Sequence, residues 1–368
     1  MKILIAGGGT GGHLMPALAL AAALRRERPD VEPVLVGARR GVEADLLPGR
    51  SYRYHLLPAE PIYRRQWWRN LRWPVVLPQL IRACRDVLDR EAPSLVVGTG
   101  GYAAGPILRM AAHRGVPLAL QEQNAFPGIT TRRLARRARQ VHLGFPEAAE
   151  HLRLGPATRL YTLGNPIIPP PPSTDRRAAR ATLDLPPHAP VVLVMGGSQG
   201  ARAINAAVSG ALDLGALDGI VVLWSTGHHT YGVYRRHHRP PWCQVRPFWD
   251  PMGEAYAAAD LAVARAGAMT VAELAAWGLP SILIPLPSAA ADHQTRNARA
   301  LETAGAAIHL PEASLDPGDL ASRIQRLVGD AERLRTMARL NRHRARPDAA
   351  QEIARCLLEL VAGPSSLS

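Results

Sequence analysis

Lysine is almost missing from this chain of 368 residues: Lys2 is the only one, and arginine supplies the other 43 of the 44 basic side chains. Genome composition alone can produce that bias, so it is not read as a phosphate signal. Cysteine is also scarce. Cys84, Cys243 and Cys356 are odd in number and far apart, which excludes a disulfide framework and a spaced zinc site and fits a reducing cytoplasm. No long apolar run is present. The longest uncharged stretch, residues 274–291, carries Gly278, Pro280, Pro285 and Pro287, and reads as helix end, buried strand and loop rather than a membrane span. Residues 1–6 run straight into glycines without the apolar region of a signal peptide. Acidic residues number only 30, leaving a net charge of +14. That excludes an acidic-tail protein and points to an anionic partner: nucleic acid, a membrane surface or a phosphorylated substrate.

What is present suits a globular α/β protein. Hydrophobic residues make up 47% and charged residues 20%, enough for cores, and the length suggests two domains, at most three. Short apolar runs at 2–6, 34–36, 95–98, 118–121 and 140–143 read as buried parallel strands, with helices at 16–28, 103–113 and 130–139 between them. The pattern breaks at 164–173, where four consecutive prolines read as a semi-rigid linker. A second series follows, with strands at 191–195, 220–224, 261–264 and 281–284 and a helical tail from about 316. The expectation is two doubly wound Rossmann-like domains, 1–164 and 165–345, with a ligand cleft at the carboxyl ends of their strands. Residues 1–165 hold 24 basic and 12 acidic side chains, net +12, while the remainder holds 20 and 18, net +2. The basic surface therefore belongs to the first domain.

Three glycine turns follow strands: Gly7-Gly8-Gly9-Thr10-Gly11-Gly12-His13, Gly98-Thr99-Gly100-Gly101-Tyr102, and Gly196-Gly197-Ser198-Gln199-Gly200. Glycine lets backbone N–H groups approach a ligand, and the following helix N-terminus favours an anion. Gly7-x-Gly9-x-x-Gly12 also fits a dinucleotide fingerprint. That fingerprint wants an acid near the end of the second strand, where Gly37-Ala38-Arg39-Arg40 stands instead.

Taken together with Glu122-Gln123-Asn124, Gly164-Asn165-Pro166 and Ala266-Gly267-Ala268-Met269-Thr270-Val271-Ala272-Glu273, these loops resemble the MurG family of bacterial N-acetylglucosaminyltransferases, in order from about residue 2 to about 310. The resemblance implies an α/β GT-B fold whose C-terminal helix, 346–368, returns to the first domain. It implies inverting transfer of GlcNAc from UDP-GlcNAc to the MurNAc 4-hydroxyl of undecaprenyl-pyrophosphoryl-MurNAc-pentapeptide (lipid I), giving lipid II for peptidoglycan synthesis at the cytoplasmic face of the cell membrane. Cell-wall or division proteins become further expected partners, with roles in cell shape and division, and no cofactor is implied. By the same resemblance Ser198 and its neighbours hold the diphosphate, and Phe248-Trp249 hold uracil through backbone contacts. Ala268, Met269, Thr270, Val271 and Ala272 pass beneath the nucleotide, Glu273 accepts the ribose hydroxyls, and Gln294 contacts the sugar. Thr10, Gly11, Gly12 and Asn124 reach the donor from the first domain, and Tyr102 belongs to the acceptor side. The chain departs from the family at Ile167-Ile168, where an arginine is usual, and at Gln121, Trp249 and His293.

Transfer needs a proton acceptor for the attacking hydroxyl and stabilisation of the leaving diphosphate. His13, at the lip of the first loop, is the expected base; the other reading is an orienting or capping histidine. No Asp-x-Asp motif occurs, so no metal is expected, and His228-His229 with His237-His238 read as an exposed loop. Trp67, Trp68 and Trp73 interleave with Arg64, Arg65, Arg69 and Arg72. That pairing suits an anionic lipid interface; the same stretch could also pack its tryptophans inward. The alternatives are another GT-B transferase acting on a glycolipid, a UDP-GlcNAc epimerase, an NADP oxidoreductase, which leaves the second glycine loop unexplained, and a nucleic-acid binder, which leaves the cleft motifs unexplained.

Overall fold

The computed structural model describes residues 1–61, 67–171, 175–197 and 199–362, with Trp67 and Arg69 described by backbone alone. The chain divides into two compact units: Met1–Ile168 together with the residues from Arg346 onward, and Pro169–Ala345. The first runs past residue 164 because the Asn165 side chain is tied into it by hydrogen bonds and Ile167 is buried.

The first unit is a seven-stranded sheet: β1 (Lys2–Gly7), β2 (Glu32–Ala38), β3 (Arg53–Leu57), β4 (Leu95–Gly100), β5 (Leu118–Glu122), β6 (Gln140–Leu143) and β7 (Arg159–Tyr161). Its spatial order is β3-β2-β1-β4-β5-β6-β7 and every pairing is parallel. The central strand β1 is buried almost throughout, with Ile5 opposite Leu35 on one side and Val97 on the other. Continuous Ile/Leu/Val runs are what a strand covered on both faces requires. The second unit repeats the plan with β8 (Val191–Met195), β9 (Val221–Ser225), β10 (Cys243–Arg246), β11 (Leu261–Ala264), β12 (Ser281–Leu283) and β13 (Ala307–His309), ordered β10-β9-β8-β11-β12-β13 and again parallel. The order reverses beside β1 and beside β8. Crevices at such switch points are where open α/β sheets bind ligands.

Two helix expectations need correction. The first helix starts at Gly11, not Pro16, so Pro16 lies inside it. Proline costs least near a helix start, and the glycines ahead of it are the real first turn. The stretch 130–139 is helical only over Ile129–Leu134, followed by a short 3₁₀ turn Ala135–Arg137. The backbone must be extended by Ala138 to enter β6, and the Thr158 hydroxyl donates to the Ala138 carbonyl at 2.7 Å.

The last helix, Ala349–Ala362, lies against Gly11–Glu27. Ile353, Ala354 and Leu357 join Ile3, Ile5, Leu14, Leu20 and Leu24 in one buried cluster. Arg355 adds a two-pronged ion pair to Glu27, at 2.9 and 3.1 Å.

Candidate active site

Each unit places a glycine turn at the carboxyl end of its central strand. In the first unit Thr10 is extended and the helix opens at Gly11, leaving Thr10, Gly11 and Gly12 exposed. Gly9 has φ +93°, and a Cβ there would lie 2.3 Å from the Tyr102 ring. Only glycine combines that dihedral with that approach, so Tyr102 is fitted to the loop, its ring half-buried against the core.

Behind the loop lies a residue the sequence reading did not single out. Glu43 is fully buried. Its Oε1 accepts from the Gly9 N–H at 2.8 Å and the Ala38 N–H at 2.6 Å, and its Oε2 from Gly9 at 3.0 Å. The dinucleotide fingerprint sought an acid at the end of the second strand. The acid stands just past that strand, and it turns back onto the loop N–H that a pyrophosphate would need. Glu43 thus fills the loop's own anion seat, which removes the NADP reading.

His13 sits on the first turn of the helix, half-buried. Its Nδ1 lies 3.1 Å from the Thr99 carbonyl and 3.2 Å from Gln123 Oε1. Both partners accept, so Nδ1 carries the ring proton and Nε2 the lone pair. The Thr99 hydroxyl donates to the His13 carbonyl at 2.8 Å. Gln123 is held in turn: its amide donates to Thr99 O at 2.8 Å and also to the Gln121 side chain, while Asn165 donates to Gln123 O at 2.9 Å and Gln121 donates to Asn165 Oδ1 at 3.0 Å. This amide network orients the imidazole from beneath. Asn124 leaves β5 braced by Glu122, which accepts from the Asn124 N–H at 3.1 Å and the Gly128 N–H at 2.9 Å.

In the second unit β8 runs into Gly196-Gly197, and the helix Arg202–Asp213 follows. Ser198 lies outside the described residues. Trp249 is buried, with the Arg246 guanidinium 3.9 Å over its ring, so its side chain belongs to the core, while the neighbouring Phe248 side chain is exposed. The helix Ala268–Ala276 starts directly after β11. It buries Ala268 and Val271 and leaves Met269, Thr270, Ala272 and Glu273 half-exposed. Glu273 Oε2 accepts the Tyr256 hydroxyl at 2.8 Å. Burial raises the Glu273 carboxyl above its ordinary range, with the Tyr256 bond offsetting only part of that rise. Gln294 accepts the Leu286 N–H at 2.9 Å, which fixes it beside the loop after β12. Arg265, also overlooked in sequence, is buried, donates to the Ile284 and Pro285 carbonyls at 3.1 and 3.0 Å and pairs with Glu312, so it holds that same loop.

The His/Arg-rich stretch is not wholly a surface loop. His237 is buried, its Nε2 2.8 Å from Ser209 Oγ, and burial lowers its pKa; His228, His229 and His238 are exposed.

Of the basic aromatic stretch, Arg64 and Arg65 and the side chains of Trp67 and Arg69 lie outside the described residues. Trp68 is 55% exposed, and Leu71 (72%), Val75 (64%), Leu77 and Ile81 are exposed beside it. Trp73 is half-buried at the start of the helix Trp73–Glu91, whose other face buries Val76, Leu80 and Cys84. Arg72 lies 3.6 Å from Glu60. No described helix is long and apolar enough to cross a membrane.

The chain matches the family models described as the glycosyltransferase family 28 N-terminal domain, over residues 3–143, and C-terminal domain, over residues 191–353. A UDP-N-acetylglucosamine–N-acetylmuramyl-(pentapeptide) pyrophosphoryl-undecaprenol N-acetylglucosamine transferase of Salinibacter ruber is 46% identical over 361 residues, covering 97% of this chain and 96% of the relative. The transferase of the same description from Moorella thermoacetica is 39% identical, covering 98% and 99%. Among solved structures, Acinetobacter baumannii MurG superposes with a TM-score of 0.75 at 26% identity, covering 97% of this chain and 99% of that one.

Proposed function

This chain belongs to glycosyltransferase family 28, and from that premise we propose that it transfers GlcNAc from UDP-GlcNAc to the MurNAc 4-hydroxyl of undecaprenyl-pyrophosphoryl-MurNAc-pentapeptide, with inversion, forming the lipid-linked disaccharide of peptidoglycan synthesis. The observation that carries this reading is identity of 46% running along 97% of the chain to a transferase of that description.

The chemistry follows from the tautomer of His13. With the proton on Nδ1 held by Thr99 O, Nε2 takes the proton of the attacking hydroxyl as the new glycosidic bond forms and the bond to UDP breaks. The imidazolium that results is stabilised by the same two acceptors, Thr99 O and Gln123 Oε1. In the second unit Ser198 and its neighbours, ahead of the helix Arg202–Asp213, receive the leaving diphosphate through backbone N–H groups and the positive helix end. Glu273 accepts the ribose hydroxyls, and Gln294 contacts the sugar from a position set by Leu286. Thr10, Gly11, Gly12 and Asn124 complete the donor contacts and Tyr102 the acceptor side.

The enzyme works on the membrane surface, peripherally and at the cytoplasmic face, where its acceptor lies. Exposed Trp68, Leu71, Val75, Leu77 and Ile81 enter the headgroup layer beside the arginines of the net-positive first unit.

The test is transfer of radiolabelled GlcNAc from UDP-GlcNAc to lipid I. The expected product is the lipid-linked disaccharide with a β linkage. Label retained in the nucleotide, or isomerised sugar without transfer, overturns the proposal.

A further inference from the structure

The Tyr256–Glu273 bond has no place in the chemistry above, and its geometry is specific. Tyr256 comes from the helix Met252–Ala258 and Glu273 from Ala268–Ala276. The phenol ring is buried and stacks on Trp277, with centroids 5.7 Å apart and planes 28° from parallel. A ring held on its face keeps its hydroxyl in one place. That hydroxyl is 2.8 Å from Glu273 Oε2, so the carboxylate cannot turn without breaking a bond to a fixed donor. Oε1 is the oxygen left to accept from a ligand. One carboxylate oxygen has two lone pairs, which matches the two vicinal hydroxyls of a ribose.

On the reading of Glu273 as the ribose acceptor, we propose that Tyr256 is a positioning residue that sets the preference for a ribonucleotide over a deoxyribonucleotide donor. A half-buried carboxylate with one internal donor is under-satisfied. A ribose supplies two further donors and a 2′-deoxyribose only one, so the deoxy ligand leaves that deficit partly unfilled. Such loss of a charge-assisted bond at a polar site is how enzymes reject analogues lacking a hydroxyl. Without the tyrosine hydroxyl the carboxylate is free to rotate toward solvent, and the discrimination is lost with it. Burial acting on the Glu273 carboxyl and on the Tyr256 phenol in the same upward direction fits a pair withdrawn from bulk water.

The experiment measures UDP and 2′-deoxyuridine diphosphate affinities by calorimetry for the wild type, Tyr256→Phe, Trp277→Leu and Glu273→Ala, with kcat and KM for UDP-GlcNAc alongside. The wild type is expected to prefer UDP by about 10-fold or more. Tyr256→Phe keeps the ring and its packing. It should shrink the preference to about 2-fold, raise KM for UDP-GlcNAc and leave kcat within about 2-fold. Trp277→Leu removes the stacking partner while keeping the hydroxyl, should move the ratio in the same direction, and carries the test alone if Tyr256→Phe fails to fold. If Glu273→Ala leaves the preference intact, the ribose reading of Glu273 falls. If Glu273→Ala abolishes the preference while Tyr256→Phe, or Trp277→Leu in its stead, leaves it at the wild-type value or weakens both nucleotides equally, the ribose reading stands and the positioning role of Tyr256 is overturned.

Discussion

The carboxylate of Glu43 holds the backbone N–H of Gly9 with both oxygens, at 2.8 and 3.0 Å, from the far side of the first glycine loop. A loop shaped like a phosphate cradle is thereby closed by the chain's own anion. The same oxygen that binds Gly9 also binds the Ala38 N–H at the end of β2, so the loop is pinned to the sheet and its position is passed on to His13.

Glu43→Gln turns an acceptor-only group into one that must point an NH₂ at a backbone N–H. Leaving buried donors unmatched costs about 1–3 kcal/mol, and at about 2–4 °C per kcal/mol for a domain of this size the melting transition should fall by several degrees. Turnover should fall with it, because His13 follows directly from the loop, and UDP affinity should weaken as well, since Thr10, Gly11 and Gly12 belong to the same turn. Scanning calorimetry and UDP titration of the one variant check both halves. A turnover equal to wild type would mean that the loop does not position the imidazole.

His13→Gln should lower kcat about 100- to 10,000-fold with little change in the UDP-GlcNAc dissociation constant. Gln can donate to Thr99 O but cannot accept a proton. Steady-state transfer together with nucleotide titration separates the two quantities; retained turnover with lost donor binding would make His13 a binding residue.

Glu273→Gln should trade affinity for stability. Burial raises the native carboxyl above its ordinary value of 4.5. Below 4.5 the group is protonated in both folded and unfolded chains and costs nothing. As pH rises through the native value, the folded chain must carry a partly desolvated charge, and stability drops relative to a neutral side chain. The variant should therefore unfold at higher temperature than wild type at pH 8, with the difference vanishing below pH 4.5, and should bind UDP about 10- to 100-fold more weakly. Melting curves across that pH range test the sign.

Vesicle sedimentation should separate two contributions at the membrane. Replacing Arg64, Arg65, Arg69 and Arg72 with Gln should release most binding to anionic vesicles at low salt, at about 1 kcal/mol per cation near the surface. The triple replacement of Leu71, Val75 and Ile81 with Ser should remove the fraction that survives about 1 M salt, since apolar burial is not screened. Equal sedimentation of both variants and wild type at both salt concentrations would place the lipid contact elsewhere.

Nine strands were legible in the sequence, and four were not: β3, β7, β10 and β13. These four are the edges of the two sheets. A central strand is covered on both faces and shows as an unbroken apolar run, as in β1 and β8. The edge strands are short or partly exposed: β7 reads Arg-Leu-Tyr, and β3 buries only Leu57 fully. The sequences of β3 and β7 are therefore ordinary surface sequences, while β10 is mostly buried but breaks its apolar run with the buried Gln244. The glycine turns were legible for the opposite reason, since positive φ and close approach leave few alternatives. Glu43, Tyr256 and Arg265 were not, because each acts on a partner in another element, Glu43 on Gly9, Tyr256 on Glu273 and Arg265 on the carbonyls after β12, and nothing local distinguishes a polar side chain that meets such a partner from one that faces water.

The helix Ala349–Ala362 completes the cluster around Gly11–Glu27, while the second unit is the unbroken stretch Pro169–Ala345. On the ribosome this inverts the order of events. The unit begun first is finished last: at roughly 5–20 residues per second, its closing helix follows its opening helix by on the order of 20–70 s. Throughout that interval the nascent first unit presents Leu20 and Leu24 without the Ile353 and Leu357 that complete their cluster. The second unit can close as soon as it emerges. The hazard during biosynthesis is thus concentrated on the first unit, and a chaperone that shields its first helix would act where the growing chain is most adhesive.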